Sequence, residues 1–188
     1  MDSFGSLSAP AAGMPAGTRA GAQAGESVGF AEGEAQDIFA SYPSAVAALS
    51  AQTASGPVGF VVTSFTAGIS FDPPMAIFSA QNSSQTWKIL REAPSIGVSI
   101  LGSDQQHACY QLASRSKNRF EHLQYRVTSS GAVLLADSPL HLECEVLSET
   151  PAGDHQVVLL EVKGAEVRAD VSPLVYRSRG FHHLVAAG

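Results

Sequence analysis

Along most of this chain the hydrophobic residues fall in short runs or alternate with polar ones, and clusters of Gly, Pro and Ser interrupt them at close intervals. That is the pattern of β-strands joined by turns rather than of long amphipathic helices. Residues 45–53 and 58–64 are two β-prone runs separated by Ser55-Gly56-Pro57, which predicts a hairpin. A strand is predicted over 75–80, after Pro73-Pro74, followed by a helix carrying Trp87, Ile89, Leu90 and Arg91. Ser83 or Ser84 offers its N-cap and Pro94 its stop. Residues 95–101 read as another strand, Asp104 as the cap of a helix running to about Ser114, and 115–118 as an exposed polar loop. Further on, Leu142, Cys144 and Val146 share one face of a strand and His141, Glu143 and Glu145 the other, so one face is predicted to be wet. Pro151-Ala152-Gly153-Asp154 makes a turn, and residues 155–167 resume as a long strand whose run Val157-Val158-Leu159-Leu160 predicts burial on both sides. A short strand over 174–177 follows. No βαβ alternation and no internal repeat is visible, so the expected architecture is a mainly antiparallel barrel with a few helices in its connections.

The opening of the chain breaks this pattern. Twelve of the first 25 residues are Ala or Gly, interleaved with Ser and Pro. Such a stretch has no apolar face to bury, so residues 1–30 are expected to form a disordered leader ahead of a domain over 31–188. The domain should begin with a short amphipathic helix containing Glu32, Glu34, Ala35, Ile38 and Phe39, ended by Pro43. The start lacks the basic region and apolar core of a secretory signal, and no run approaches the length of a membrane span, which makes the cytoplasm the expected compartment.

With 45% hydrophobic and 15% charged residues the chain is globular. A net charge of -6, with only 11 Lys and Arg, argues against nucleic acid as a partner, because phosphate-backbone affinity rests on clustered cations. A membrane partner is not expected either. Cys109 and Cys144 lie far apart without CxxC or Cys/His spacing and read as reduced, half-buried thiols. The adjacent His182-His183 pair would point to opposite faces of a strand, so no metal site is expected. Hydrolase, P-loop and Rossmann signatures are missing from the sequence.

The most informative segment runs from Val58-Gly59-Phe60 through Thr63-Ser64-Phe65 to Ser70-Phe71-Asp72-Pro73-Pro74. A strand leading into a loop of small hydroxyl residues and exposed amides suits a flat, phosphorylated ligand, although an ordinary strand-loop-strand has the same pattern. Together with Ser83-Ser84-Gln85-Thr86-Trp87, Arg119-Phe120, Gly153-Asp154-His155 and Leu174-Val175-Tyr176, in that order and spacing, the segment closely resembles the flavin reductase-like family. These are the reductase components of two-component flavin-dependent monooxygenases. The resemblance covers about residues 35 to 185 and implies an antiparallel Greek-key split β-barrel of the FMN-binding type with a few flanking helices.

It further implies an NAD(P)H:flavin oxidoreductase that transfers hydride from NADH or NADPH to FMN or FAD and supplies reduced flavin to a separate monooxygenase, with a homodimer as the usual assembly. Val61, Val62, Thr63, Ser64, Phe65, Ala67 and Gly68 would wrap the flavin, and Ser79, Ala80 and Gln81 would line its ring. Ser84, Gln85 and Thr86 would approach the phosphate, where a helix start also favours an anion. Relatives often carry a basic residue where this chain has Asn82 and a Thr where it has Val61, which leaves Arg115 as the candidate phosphate partner. His155 is the catalytic candidate, orienting the nicotinamide with Asp154, and Phe120, Tyr176 and Arg179 complete the expected dinucleotide pocket. Arg119 and Gly180 lie in the same matching segments. Trp87 and Phe60 are expected in the core or at a subunit interface. The departures at Val61, Asn82 and Leu160 keep two alternatives open: a flavoprotein that retains FMN to reduce another substrate, and a non-catalytic flavin- or haem-binding module.

Overall fold

A computed structural model describes residues 30–185 apart from 32 and 117. The leader expected over 1–30 therefore lies outside the described residues, Phe30 excepted. Helix α1 (Glu34–Ala40) precedes a two-residue strand β1 (Ser44–Ala45) and the hairpin β2 (Ala47–Thr53) and β3 (Gly56–Val62). A second hairpin, β4 (Thr66–Phe71) and β5 (Pro74–Gln81), leads into helix α2 (Gln85–Leu90), strand β6 (Ile96–Ile100) and helix α3 (Gln106–Ala113). A small ribbon, β7 (Tyr125–Val127) and β8 (Val133–Leu135), is followed by the long hairpin β9 (Leu140–Ala152) and β10 (His155–Val167). The strands β11 (Val175–Arg177) and β12 (Gly180–His182) come last.

Seven strands form one antiparallel sheet in the order β3-β2-β6-β9-β10-β5-β4, and β1, β11 and β12 form a separate three-stranded sheet. The non-consecutive neighbours β2–β6, β6–β9 and β10–β5 make the large sheet a Greek key rather than a meander. It does not close through a ladder. Just past β3 the Ser64 hydroxyl donates to the Ser79 carbonyl (3.2 Å) and accepts from the Ser79 amide (3.0 Å), so one side chain bridges the split to β5.

The sheet encloses the main core, in which Phe78 meets Trp87 edge-to-face at 5.1 Å and Phe60 at 6.2 Å. Strand β2 is buried on both faces. Ala47, Leu49 and Ala51 point into this core, while Val46 and Ala48 join a second cluster with Val61, Leu112, Phe120 and Leu135. The β7–β8 ribbon is stitched to the outer face of the sheet by buried polar side chains. The Ser50 hydroxyl donates to the Val133 carbonyl, the Ser99 hydroxyl accepts from the Leu135 amide, and His141 Nε2 lies 2.6 Å from the Leu135 carbonyl. A carbonyl only accepts, so Nε2 carries the hydrogen.

Several sequence expectations are corrected. His141 is buried at 5% exposure because β8 covers its face, which becomes wet only from Glu145 onward. In β10 burial alternates: Val158 and Leu160 are inside, but Val157 is 37% exposed, since only one face of this strand meets the core. Both thiols are fully buried rather than half-buried, and burial pushes each up to about 12. Gln105, not Asp104, stands at the N-cap of α3. Its side chain accepts from the Gly102 amide and donates to the Ala136 carbonyl, tying two loops together. The loop of small hydroxyl residues is residues 63–65, and Ala67 and Gly68 stand beyond it on edge strand β4, which has no buried residue and therefore shows no alternation. Helix α1 forms over Glu34–Ala40, with Glu32 of the expected helix outside the described residues, and likewise buries none of its residues.

Gly97 is where β8 lies closest: a Cβ there would sit 2.1 Å from the Val133 carbonyl oxygen. Backbone cannot yield as a flexible side chain can, so Gly97→Ala should cost about 3 kcal/mol or more. Urea denaturation checks this, and an unchanged midpoint would contradict the close approach of β8.

Candidate functional site

The register of β5 on β10 pairs Gln81 with His155 and Ser79 with Val157. Since Phe78, Ala80 and Val158 point into the core, strand alternation turns Ser79, Gln81 and His155 to the outer face of the sheet. His155 follows the two-residue turn Gly153-Asp154, in which Gly153 takes φ +62°, the left-handed first position that glycine adopts without a Cβ penalty. The carboxylate of Asp154 lies 2.7 Å from His155 Nδ1. Nδ1–H therefore donates, and Nε2 is left as the unprotonated acceptor of the neutral ring. This hydrogen bond, reinforced by attraction to the imidazole, lowers the Asp154 carboxyl below its ordinary value.

The loop after β5 continues into α2. Ser84 is buried and caps the helix, its hydroxyl accepting from the Trp87 amide at 3.2 Å, and Gln85 is exposed. Asn82 turns its side chain to the β9–β10 hairpin, donating to the Gly153 carbonyl and accepting from Gln156.

Thr86 opens on the other side. A cavity of about 200 Å³ lies between the start of β3, α2 and the loop after α3, lined by Val58, Gly59, Thr86, Ser116, Arg119 and Phe120 among others. Arg119 Nη1 donates to Thr86 Oγ1 at 3.0 Å and to the Gly59 carbonyl at 3.3 Å. Phe120 is buried and packs edge-to-face on Tyr125. Gly59 is required here, because a Cβ would come within 2.8 Å of the Phe120 ring and the Leu49 carbonyl. Gln111 of α3 holds this loop by donating to the Arg119 and Glu121 carbonyls. Sequence reasoning did not single out Gln111, and nothing local marks it, since its partners lie 8 and 10 residues away.

The structure thus brings Ser64, Ser79, Gln81, Asp154 and His155 to one end of the sheet, with Thr86, Arg119 and Phe120 at the far side of the same loop. The side chains of Val61, Val62 and Ala80 are committed to packing, so from these positions only backbone is left to face a ligand, while Phe65 rests on the main core and is half-buried. Thr63 is half-buried, and Ala67 and Gly68 are exposed on edge strand β4. Arg115 is exposed in its loop, and the guanidinium that reaches Thr86 is that of Arg119. Tyr176 and Arg179 belong to the three-stranded sheet. There Tyr176 packs on Phe181 and the second core, and Arg179, at a left-handed turn, is ion-paired with Asp37 of α1. Of the expected nicotinamide set, Asp154 and His155 stand at the β9–β10 turn, Phe120 and Tyr176 belong to the second core cluster, and Arg179 lies in the β11–β12 turn.

Residues 39–185 match the flavin reductase like domain family. The chain is 30% identical over 157 residues to the actinorhodin polyketide dimerase of Streptomyces coelicolor, covering 83% of this chain and 88% of that one. It is 28% identical over 152 residues to an NADH:FMN oxidoreductase of Rhodococcus erythropolis, covering 78% and 79%. Among solved structures, BorF, the flavin reductase component of a bacterial two-component tryptophan halogenase, superposes with a TM-score of 0.75 at 26% identity, covering 84% of this chain and all of that one.

The Asp154–His155 pair has a measurable signature. Because the folded carboxyl titrates below its unfolded value, the pair's contribution to stability is present above the ordinary carboxylate range near about 4 and fades as pH falls through the folded value. Carboxyl ¹³C NMR titration should find Asp154 low in the native protein and back near the ordinary value in His155→Ala; no difference between the two would contradict the contact.

Proposed function

The chain belongs to the flavin reductase like domain family, and from that membership and the site geometry we propose that it is an NAD(P)H:flavin oxidoreductase. The observation that carries this reading is the short segment from Gln81 to Thr86. It joins a histidine-bearing outer sheet face to an arginine-threonine corner opening into a cavity.

The donor set fits FMN or the FMN half of FAD. Thr86 and Arg119 would hold the phosphate, since a guanidinium already fixed by two acceptors meets an anion without further ordering. Ser79 and Gln81, with the backbone of residues 61–65, would face the ring and its side chain. A bound flavin supplies the acceptor for the hydride of the reduced nicotinamide. The chain needs no nucleophile for this, and it offers no activated thiol: burial holds both cysteines neutral, and the Ser64 hydroxyl is engaged by the Ser79 backbone. His155, steadied by Asp154, presents Nε2 to the nicotinamide nucleotide and orients it.

Exposed Val157 lies on the outer face opposite Ser79, and exposed Ile69 and Phe71 lie further along edge strand β4 toward the start of β5, apolar surface that a second copy would cover in a homodimer. Reduced flavin then passes to a separate monooxygenase component. A cytoplasmic setting, where NADH and NADPH are supplied, fits this chemistry; no helix among the described residues is long and apolar enough to cross a membrane. A second reading is a flavoprotein that keeps its flavin to act on another substrate; the relative named for polyketide dimerisation supports only the part about another substrate.

NADH and NADPH oxidation followed at 340 nm with added FMN or FAD separates the two. The proposal expects turnover that saturates with added flavin; tightly co-purifying flavin without such turnover would favour the second. Arg119→Ala should raise the flavin KM about 10- to 100-fold, the range for losing a charged hydrogen bond, with a smaller effect on NADH. His155→Ala should raise the NADH KM more than it weakens flavin binding, and equal losses would overturn the role given to His155.

A further inference from the structure

We propose that Asn82 is a positioning residue that locks the β9–β10 turn to the loop entering α2 and so fixes His155 relative to the Thr86–Arg119 corner. The proposal rests on the functional reading above for what His155 and Thr86 do, but its structural core is independent of that reading.

The ladder between β5 and β10 ends at the pair Gln81–His155. Beyond it the Gly153-Asp154 turn is exposed and would pivot about that last rung. Asn82 stops the pivot from both sides. Its backbone amide donates to the Asp154 carbonyl at 3.0 Å, its side-chain Nδ2 donates to the Gly153 carbonyl at 3.2 Å, and its Oδ1 accepts from Gln156 Nε2 at 2.9 Å. Gly153 precedes His155 and Gln156 follows it, so the histidine is bracketed by two groups tied to one side chain, with Asp154 held by the backbone of the same residue.

Only an amide of this length gives one donor and one acceptor at once. Aspartate has no donor for the Gly153 carbonyl, lysine has no acceptor for Gln156, and alanine has neither. The connection extends to the imidazole: the Asn82 side chain holds the Gly153 carbonyl next to Asp154, and the Asp154 carboxylate holds His155 Nδ1, while the backbone bond from the Asn82 amide to the Asp154 carbonyl stays in every variant. In the other direction, Asn82 is four residues before Thr86, whose hydroxyl receives Arg119. The turn that presents the histidine and the segment that presents the anion corner therefore move as one unit. Asn82 is exposed and Gln156 half-buried, so water replaces these bonds when they are lost and the fold survives their removal.

The test compares Asn82→Ala, Asn82→Asp and Gln156→Ala, alone and combined, in the full chain. Without flavin, the Asp154 carboxyl followed by ¹³C NMR should titrate higher in Asn82→Ala than in the native protein, with Tm unchanged. With FMN added, the same variant should raise the NADH KM about fivefold and leave the FMN KM within about twofold, the size of one or two modest hydrogen bonds. Asn82→Asp should behave like Asn82→Ala despite its shape, and Gln156→Ala should give a smaller effect that adds nothing to Asn82→Ala. An unmoved Asp154 titration, or equal rises in both KM values accompanied by a lower Tm, would overturn the proposal. Should the native protein oxidise no NADH, the functional reading fails, and the flavin-free titration still decides the role of Asn82.

Discussion

The antiparallel register of β5 against β10 decides at once what becomes core and what becomes surface. Pairing Phe78 with Val158 and Ala76 with Leu160 sends all four inward, and the same alternation sends Ser79, Gln81 and His155 outward. A slip of one residue would expose the phenylalanine and bury the histidine, a double cost that makes the register self-correcting. The site is therefore not an addition to the fold: its outer face is the reverse side of the core packing, and its position follows from the same pairings.

The second constraint is the burial of β2 on both faces. A strand with cores on both sides needs a second layer, here supplied by α3, the loop carrying Arg119 and Phe120, and the β7–β8 ribbon. That layer approaches the sheet closely where Gly59 and Gly97 leave room, and Ser50, Ser99 and His141 bond its backbone carbonyls and amide at Val133 and Leu135. Through Gln111 the layer also fixes the loop that brings Arg119 to Thr86. Packing on one face of the sheet thus delivers the cation, while packing on the other delivers the histidine.

What was legible in the sequence was local. The β2–β3 hairpin announced itself through Ser55-Gly56-Pro57, β5 through the residues after two prolines, and α2 through Ser84, which does cap it. What was not legible depended on distant partners. His141 looked solvated because the ribbon that buries it is a separate stretch of chain, and Val157-Val158-Leu159-Leu160 looked doubly buried because a run of apolar residues does not say how many faces are covered. Edge strand β4 has no buried face to leave a period. At the site, the motif residues of the 58–86 and 153–155 segments were readable, but the contact of Arg119 with Thr86 spans 33 residues. Asn82 read as the loss of a cation, whereas in the fold its amide is a strut to the histidine turn. Tyr176 packs on the second core cluster that contains Phe120, a contact across more than fifty residues of chain that no local pattern announces.

The central claim is that the His155 face and the Thr86–Arg119 corner are two ends of one flavin and nicotinamide site. Titration of FMN into the ¹⁵N-labelled protein, followed by amide shifts, tests it most directly. Saturable changes at Ser79, Gln81, Thr86 and Arg119, spreading to His155 when NAD⁺ is added, are the expected result. Changes confined to the sheet that carries Tyr176 and Arg179, with residues 79–86 silent, would contradict the account.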